Sequence, residues 1–134
     1  MFAALPEGHR LAARKSPVLS EIRDAPFLLL KEGHCFRENA LSACRRSRVS
    51  PNVVFESGQF STIISMVATG MGVSVVPAMA VERHPRCKFV RISDERAVRI
   101  VGLAQLKHRF KTRAQCALTE QLRRYAQTRL VGLD

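Results

Sequence analysis

The sequence predicts an α/β fold in which a mixed sheet carries helices on both faces. Short apolar runs bounded by turn residues alternate along the chain with longer segments whose apolar residues recur every three or four positions. The first pattern is typical of buried strands and the second of amphipathic helices. Because a strand that is apolar throughout is buried on both faces, helices are expected on both sides of the sheet.

The first third of the chain predicts two strands and one long helix. Residues 2–5 form an apolar run that ends at Pro6, and proline cannot donate to a strand ladder. A helical turn is predicted near residues 19–22 and a buried strand over residues 26–30. The helical period then continues over residues 35–46. Its buried face is predicted to carry Phe36, Ala40, Leu41 and Cys44.

The middle of the chain repeats this alternation. A strand is predicted near residues 53–56, and Ser57 is predicted to cap the helix that follows over residues 58–69. Gly70 ends that helix, and the β-branched residues 73–76 predict another strand. The apolar face of the helix is predicted to carry Phe60, Ile63, Ile64 and Val67.

The last third predicts two strands and one helix. The strands are expected over residues 87–92 and 98–105. Thr112 and Gln115 form a capping-box pattern, which opens a final helix over about residues 113–130. The residues of this helix predicted to face inward are Leu118, Leu122, Tyr125 and Ala126.

Composition narrows the classes of function. A chain of 134 residues predicts one domain or one lobe of a larger protein. Its net charge of +11 favours an anionic partner such as nucleic acid, although the basic residues are dispersed and also fit a solvated surface. No apolar run reaches the roughly 18 residues that a membrane span needs, and the N-terminus does not resemble a signal peptide. We therefore expect a cytoplasmic location with reduced cysteines and no membrane partner.

The spacing of potential ligands argues against a metal or nucleotide site. The four cysteines form no C-x2-C pair, and the four histidines form no H-x3-H pair. Gly70 and Gly72 are not followed by the Lys-Ser/Thr of a phosphate-binding loop. No cofactor, metal or catalytic residue is expected, and the chain is not expected to be an enzyme.

One local pattern indicates thiol chemistry. Gly33, His34 and Cys35 stand where the strand at residues 26–30 gives way to the first long helix. Backbone N–H groups and the positive end of the helix dipole favour a thiolate at such a position. Cys44 follows on the buried face of the same helix. Because free cysteines are commonly buried, an ordinary turn residue at Cys35 and an ordinary core thiol at Cys44 remain an alternative.

Three segments resemble the effector-binding region of LysR-type transcriptional regulators. Residues 4–12, ALPEGHRLA, look like the hinge that enters the second lobe of that region. Residues 67–77, VATGMGVSVVP, look like its helix–turn–strand. Residues 33–38, GHCFRE, with the spacing to Cys44, look like the OxyR-type peroxide sensors within the family. The resemblance covers nearly the whole chain.

The resemblance carries expectations about fold and domain organisation. It implies a periplasmic-binding-protein type II-like lobe. Residues 1–134 would be a regulatory domain, mainly its second lobe at about residues 5–98. Residues 99–134 would supply a strand and a C-terminal helix that in the family belong to the first lobe. The winged helix-turn-helix that binds DNA is expected to lie outside this chain.

The resemblance also implies a function. Hydrogen peroxide would oxidise Cys35, and a Cys35–Cys44 disulfide would activate transcription, with a homo-oligomer and RNA polymerase as further expected partners. Nine residues of helix rise about 13 Å, whereas the Cα atoms of a disulfide lie roughly 4.4–6.8 Å apart, so pairing requires the helix to unwind. The residues expected to contact peroxide or an effector are His34, Arg37, Glu38 and Ser57.

Two other functions stay open at this point. The lobe would bind a small anionic effector at a helix N-terminus, with the cysteines incidental to function. Alternatively, the charge alone would make the chain a nucleic-acid-binding module. Thiol reactivity separates the peroxide sensor from the effector lobe, and salt-dependent DNA binding supports the third function.

Overall fold

The computed structural model describes residues 1–95 and 97–129. The chain divides into two units, Met1–Arg99 and Ile100–Asp134. We refer to them as the first and second unit. The first unit contains the strands β1 (Phe2–Pro6), β2 (Pro26–Leu30), β3 (Asn52–Ser57), β4 (Ser74–Val76) and β5 (Cys87–Arg91). Its helices are α1 (Cys35–Arg46) and α2 (Phe60–Ala68), with 3-10 turns at Leu19–Ile22 and Ala78–Ala80. The second unit contains α3 (Arg113–Arg129).

The strands form a mixed sheet. β1 lies between β4 and β5 and is antiparallel to both, whereas β2 and β3 are parallel neighbours. Val73, just ahead of β4, joins the two groups: its N–H donates to the Pro26 carbonyl and its carbonyl accepts from the Leu28 N–H, both at 2.8 Å. The strand order is therefore β3-β2-β4-β1-β5. The α/β class predicted from the sequence is confirmed.

Gly72 makes the junction between β2 and β4 possible. A Cβ atom at this position would lie 2.3 Å from the Pro26 carbonyl oxygen and 2.6 Å from Cδ1 of Leu28. Real Cβ atoms do not approach other atoms so closely, so only glycine lets the backbone before β4 approach β2. The glycine thus fixes the place where the parallel pair joins the antiparallel strands.

Burial along the strands follows their position in the sheet. After Pro26, every residue of β2 is buried, as expected for a strand inside a sheet. The outer strand β3 instead alternates between exposed and half-buried residues. The helices bury the faces predicted from their periods. The buried residues are Phe36, Ala40, Ala43 and Cys44 on α1, with Leu41 partly buried, and Ile63, Ile64 and Val67 on α2.

The predicted strand at residues 98–105 is wrong, because this stretch has no strand structure. A strand needs a neighbour whose N–H and C=O groups complete its ladder, and the β-branched residues here are exposed, with Ile100 91% accessible. Apolar composition alone therefore overstated the strand tendency of this stretch.

The start of α3 was predicted correctly, but its inward face was not. The Gln115 N–H donates to Oγ1 of Thr112 at 3.2 Å, and the Thr112 N–H donates to Oε1 of Gln115 at 3.0 Å, so the capping box is confirmed. Leu118, Leu122 and Tyr125 are nevertheless exposed, and Ala126 is half-buried. An apolar stripe shows that one face of a helix is suited to packing. It does not show that residues of the same chain pack against that face. The predicted end of the helix, at residue 130, lies outside the described residues.

Among the residues that the structure describes, none of the helices has the length and apolar character that a membrane crossing requires.

Candidate functional site

The candidate site lies at the carboxyl ends of the parallel strands β2 and β3. Leu30 and Ser57, the last residues of these strands, are partners in the strand register. The Lys31 N–H donates to the Ser57 carbonyl at 2.9 Å, which holds the two strand ends together. α1 and α2 both begin just beyond this edge. The carboxyl edge of parallel strands is where α/β proteins commonly bind ligands, because helix N-termini gather there.

A tight turn carries the chain from β2 into α1. Gly33 has a φ of +85°, in the left-handed region that glycine tolerates best. The His34 N–H donates to the Lys31 carbonyl at 3.2 Å. His34 is the N-cap of α1, and its Nδ1 accepts a hydrogen bond from the Phe36 N–H at 3.2 Å. In the neutral imidazole this bond leaves the ring proton on Nε2.

Cys35 is the first residue of α1 and its side chain is exposed. The sequence placed it at this strand-to-helix turn, and the structure agrees. The first backbone N–H groups of a helix lack partners within the helix, and the partial positive charge of the helix N-terminus acts on whatever lies there. Cys35 is therefore accessible and lies at the partially positive end of the helix.

Cys44 lies near the other end of α1 and is buried, with 1% of its surface exposed. Burial away from water raises the pKa of its thiol from 9.0 to about 11. Its carbonyl accepts hydrogen bonds from the N–H groups of Ser47 at 3.0 Å and Val49 at 2.8 Å, which close the end of the helix. The prediction that Cys44 belongs to the apolar face is confirmed.

The two thiols cannot bond to each other in this conformation. Both are free, and α1 runs without a break from Cys35 to Arg46. Nine helical steps from Cys35 to Cys44 place the two residues about 13 Å apart along the axis and on opposite faces. A Cys35–Cys44 disulfide therefore requires α1 to unwind.

Arg37 is turned towards the two strands. Its Nη1 donates to the Leu30 carbonyl at 2.9 Å and forms an ion pair with the Glu56 carboxylate on β3. These bonds link the first turn of α1 to the ends of both parallel strands. Glu38 lies on the outer surface, where its carboxylate is 3.9 Å from Nη2 of Arg45. The His34 ring is held by the Phe36 N–H, and Glu38 pairs with Arg45 instead of contacting His34.

Ser57 is the last residue of β3, and the prediction that it is the N-cap of α2 is wrong. α2 begins at Phe60, with Gln59 as its N-cap. The Ser57 hydroxyl accepts a hydrogen bond from the Gln59 N–H at 3.3 Å, so it supports the turn ahead of the helix. β3 ends at Ser57, one residue beyond the strand predicted near residues 53–56. Ser57 therefore belongs to the strand and not to the start of the helix.

An aromatic cluster lies beside the candidate site, and sequence reasoning missed it. The ring of Phe60 meets His34 edge to face at 5.9 Å and Phe36 at 5.4 Å between centroids. On the Phe36 ring, the guanidinium carbon of Arg99 lies 5.7 Å from the centroid. Phe36 and Phe60 were predicted only as core residues. No local pattern pairs them, or predicts that Arg99 or Glu56 reaches the first turn of α1.

The other two cysteines differ in exposure. Cys87 is buried, and burial raises the pKa of its thiol to about 11. Cys116 is exposed on α3. Within residues 1–95 and 97–129, no three His, Cys, Asp or Glu side chains are grouped in a way that would hold a metal ion.

Comparison with known proteins identifies the family. Residues 1–127 match the model of the LysR substrate binding domain. This chain belongs to that family. The LysR domain has a periplasmic-binding-protein type II-like fold, which confirms the fold expected from the resemblance. Members of the family are transcriptional regulators and not enzymes.

Three relatives illustrate the range of LysR proteins that the chain is similar to. It is 32% identical over 82% of its length to an uncharacterized HTH-type transcriptional regulator, YybE, of Bacillus subtilis. It is 37% identical over 75% of its length to a probable hydrogen peroxide-inducible genes activator of Mycobacterium avium. The reduced form of the OxyR regulatory domain from Pseudomonas aeruginosa matches 70% of this chain and 46% of its own, with 35% identity and a TM-score of 0.59.

The chain spans little more than a third of the length of the first two of these LysR relatives. It covers 38% of the Bacillus subtilis regulator and 33% of the Mycobacterium avium activator. It corresponds to the effector-binding region of a LysR-type regulator.

Proposed function

We propose that this chain is the redox-sensing lobe of a LysR-type transcriptional regulator, and that hydrogen peroxide converts Cys35 and Cys44 into a disulfide. One observation carries the proposal: a single helix holds an exposed cysteine at its first position and a buried cysteine near its end. The exposed thiol is accessible to an oxidant, and the buried thiol is kept reduced until the helix opens.

The chemistry takes two balanced steps. The Cys35 thiolate attacks one peroxide oxygen, the O–O bond breaks, and after proton uptake the products are a Cys35 sulfenic acid and water. The Cys44 thiol then displaces the hydroxyl group of the sulfenic acid and gives the Cys35–Cys44 disulfide and a second water. Two thiols and one hydrogen peroxide thus give one disulfide and two waters. A cellular dithiol reverses the reaction by thiol–disulfide exchange.

The residues around Cys35 suggest how peroxide is held. We propose that Nε2–H of His34 donates a hydrogen bond to peroxide, since its Nδ1 is already used by the Phe36 N–H. Arg37 acts by securing the first turn of α1 to the strand ends through Leu30 and Glu56. Glu38 in the first turn of α1 and Ser57 at the end of β3 are the other two residues that we propose as contacts of the bound peroxide.

Disulfide formation would change the structure of α1. Phe36, Ala40 and Ala43 are buried between the two cysteines along the helix. When the helix unwinds, these residues must leave or rearrange within the core. Such local refolding is a known way to turn a covalent change into a larger structural signal.

Two relatives support this choice of signal. The Mycobacterium avium protein is described as a probable hydrogen peroxide-inducible genes activator, and the Pseudomonas aeruginosa structure is a reduced OxyR regulatory domain. The Bacillus subtilis regulator is uncharacterized, so its similarity is compatible with any effector.

We also propose how the chain fits into a whole regulator. Residues 5–98 would form most of the second lobe of the regulatory domain, and residues 99–134 would belong to the first lobe. The complete protein would be a cytoplasmic homo-oligomer that binds DNA through a winged helix-turn-helix outside this chain. On oxidation it would activate transcription through RNA polymerase.

The test measures thiol oxidation in the folded chain. Brief exposure to hydrogen peroxide, followed by alkylation and mass spectrometry, is expected to show Cys35 oxidised first and a 35–44 crosslink afterwards. Cys35→Ser should abolish the crosslink, whereas Cys44→Ser should leave a longer-lived sulfenic acid that dimedone traps. Circular dichroism should show a loss of helix as the crosslink forms.

Cys116 is the matched control, because it is also an exposed cysteine in the first turn of a helix. Cys116→Ser should leave both steps unchanged. The proposal fails if Cys35 is oxidised no faster than Cys116, or if no 35–44 crosslink forms.

A second candidate function is the binding of a small carboxylate beside the start of α2. The structure offers for it a cavity of about 290 Å³ beside the start of α2, lined by Phe60, Ser61, Ile64, Met79, Ala80, Val81 and Glu82. Ser61 is the lining residue whose hydroxyl can donate a hydrogen bond to a carboxylate. Calorimetric titration with benzoate, a small carboxylate with an apolar ring that suits the mostly apolar lining, tests it, with Ser61→Tyr as the variant that fills the cavity. Binding that Ser61→Tyr abolishes and that Cys35→Ser leaves unchanged would support an effector lobe over a peroxide sensor.

A further inference from the structure

Phe36, the residue that follows the exposed thiol, contacts side chains from two distant segments of the chain. Its ring is buried, with 1% of its surface exposed. Phe60 packs edge to face against it, and the guanidinium of Arg99 lies over the ring at 5.7 Å from the centroid. This distance is within the range of a cation–π interaction. A cation from the end of the first unit therefore contacts the first turn of α1.

The stretch that carries Arg99 contacts α1 at its other end too. The Ser47 hydroxyl, at the C-cap of α1, donates a hydrogen bond to the Asp94 carboxylate. The Ala97 N–H donates to the Asp94 carbonyl at 2.9 Å, which folds this stretch back on itself. Nη1 of Arg99 also lies 3.6 Å from Sδ of Met79, a second contact of the guanidinium. Asp94 and Arg99 thus contact the two ends of the helix that holds both proposed redox cysteines.

We propose that Arg99 is a positioning residue of the thiol switch: its stacking on Phe36 holds the first turn of α1 in helical form and so slows disulfide closure. The inference rests on the proposed function, in which Cys35 and Cys44 pair only after α1 unwinds. Phe36 lies within the part of the helix that must unwind, so its contact with Arg99 has to break before the two sulfurs meet. Arg99 does not contact the reacting atoms, and the attack of peroxide on Cys35 should not depend on it.

The proposal predicts an effect on one step and not on the other. Arg99→Met keeps an unbranched side chain but removes the cation, whereas Arg99→Lys keeps a cation. Closure of the 35–44 disulfide should be about two- to fivefold faster in Arg99→Met, as expected from the loss of one partly exposed cation–π contact. Arg99→Lys should close at nearly the wild-type rate. Sulfenic acid formation, followed by dimedone trapping in the Cys44→Ser background, should be the same in all three chains.

A second measurement does not depend on peroxide. Hydrogen exchange of the backbone amides at residues 36–39 should be faster in Arg99→Met than in the wild type, and Arg99→Lys should resemble the wild type. Arg83→Met is the matched control, since Arg83 is an exposed arginine of the same unit. It should change neither exchange at residues 36–39 nor closure.

The outcomes separate the two proposals. If the wild-type chain forms the disulfide and Arg99→Met closes at the wild-type rate, the role of Arg99 is refuted and the sensor function stands. If the wild-type chain forms no disulfide, the sensor function fails, and the exchange measurement alone decides whether Arg99 holds the first turn. Unchanged exchange in Arg99→Met, or equal effects of Arg99→Met and Arg83→Met, would overturn the inference.

Discussion

Protection of Cys44 by the fold is the property on which the proposed switch depends, and it can be measured directly. The perturbation is the transfer of the chain from the folded state to urea, with iodoacetamide alkylation of each cysteine followed in both states. In the folded chain Cys35 and Cys116 are exposed, whereas Cys44 and Cys87 are buried. We expect the first two to react readily and the other two to react slowly.

The size of the effect follows from the pKa. Burial raises the pKa of the Cys44 thiol from 9.0 to about 11. The thiolate is the form of cysteine that reacts with iodoacetamide. With the raised pKa, the thiolate fraction of Cys44 at pH 8 is about a hundredfold smaller than that of an exposed cysteine. The 1% exposure of the side chain lowers access further. Alkylation of Cys44 should therefore be at least about a hundredfold slower in the folded chain than in urea.

Peptide mass spectrometry after timed alkylation gives the four rates separately. In urea the four cysteines should react at similar rates, which provides the internal control. The reasoning is refuted if Cys44 in the folded chain is alkylated as fast as Cys116, because α1 would then open too readily to keep a buried thiol in reserve.

Three further predictions follow from the same structure. Gly72→Ala should lower the free energy of unfolding, measured by urea titration, by roughly 2–4 kcal/mol, because the new Cβ would collide with the Pro26 carbonyl. Gly58→Ala is the control, since a Cβ there meets no atom within 4 Å, and it should change the free energy of unfolding little. The free energy of unfolding should fall as the pH rises from about 9 to about 11, because the folded state keeps the protons of Cys44 and Cys87 above the pH at which the unfolded chain releases them. Cys44→Ala should remove up to about 2.7 kcal/mol of that fall, and equal slopes in both chains would contradict the assignment. Finally, the charge of +11 should give DNA binding without sequence preference that largely disappears between about 50 and 200 mM salt; binding that survives in fluorescence anisotropy would favour a nucleic-acid module.

The elements that the sequence predicted well are those set by local pattern. α1 was predicted over residues 35–46 and has those bounds, because an apolar period of three and four follows a turn that requires glycine. β2 was also predicted with its observed bounds, since a short apolar run between turn signals leaves few alternatives. The exposed Cys35 and the buried Cys44 follow from these two elements, and so the core of the candidate site was predictable.

The features that the sequence did not predict depend on distant partners. The contact of Arg99 with Phe36 and the ion pair of Arg37 with Glu56 join elements whose relative position a pattern cannot give. The incorrect prediction of a strand at residues 98–105 also depends on distant partners. This stretch has the composition of a strand, but in the described structure it pairs with no neighbouring strand. Local composition predicts a tendency, and pairing decides whether it is realised.

Because both cysteines lie on one helix, the stability of that helix determines how readily the proposed disulfide forms. If Cys44 lay on a neighbouring element, a small shift would bring the sulfurs together and α1 would stay folded. Because Cys44 follows Cys35 by nine positions of helix, the sulfurs meet only when Phe36 and other buried residues of α1 give up their packing. Burial of a phenylalanine alone contributes roughly 1.5–3 kcal/mol. Formation of the disulfide must offset that loss, so contacts that secure α1 raise the barrier to closure and contacts that loosen it lower the barrier. The peroxide response would then be tuned by residues that touch neither peroxide nor sulfur, and the bonds made by Arg37 and Arg99 at the first turn are where this tuning should be sought first.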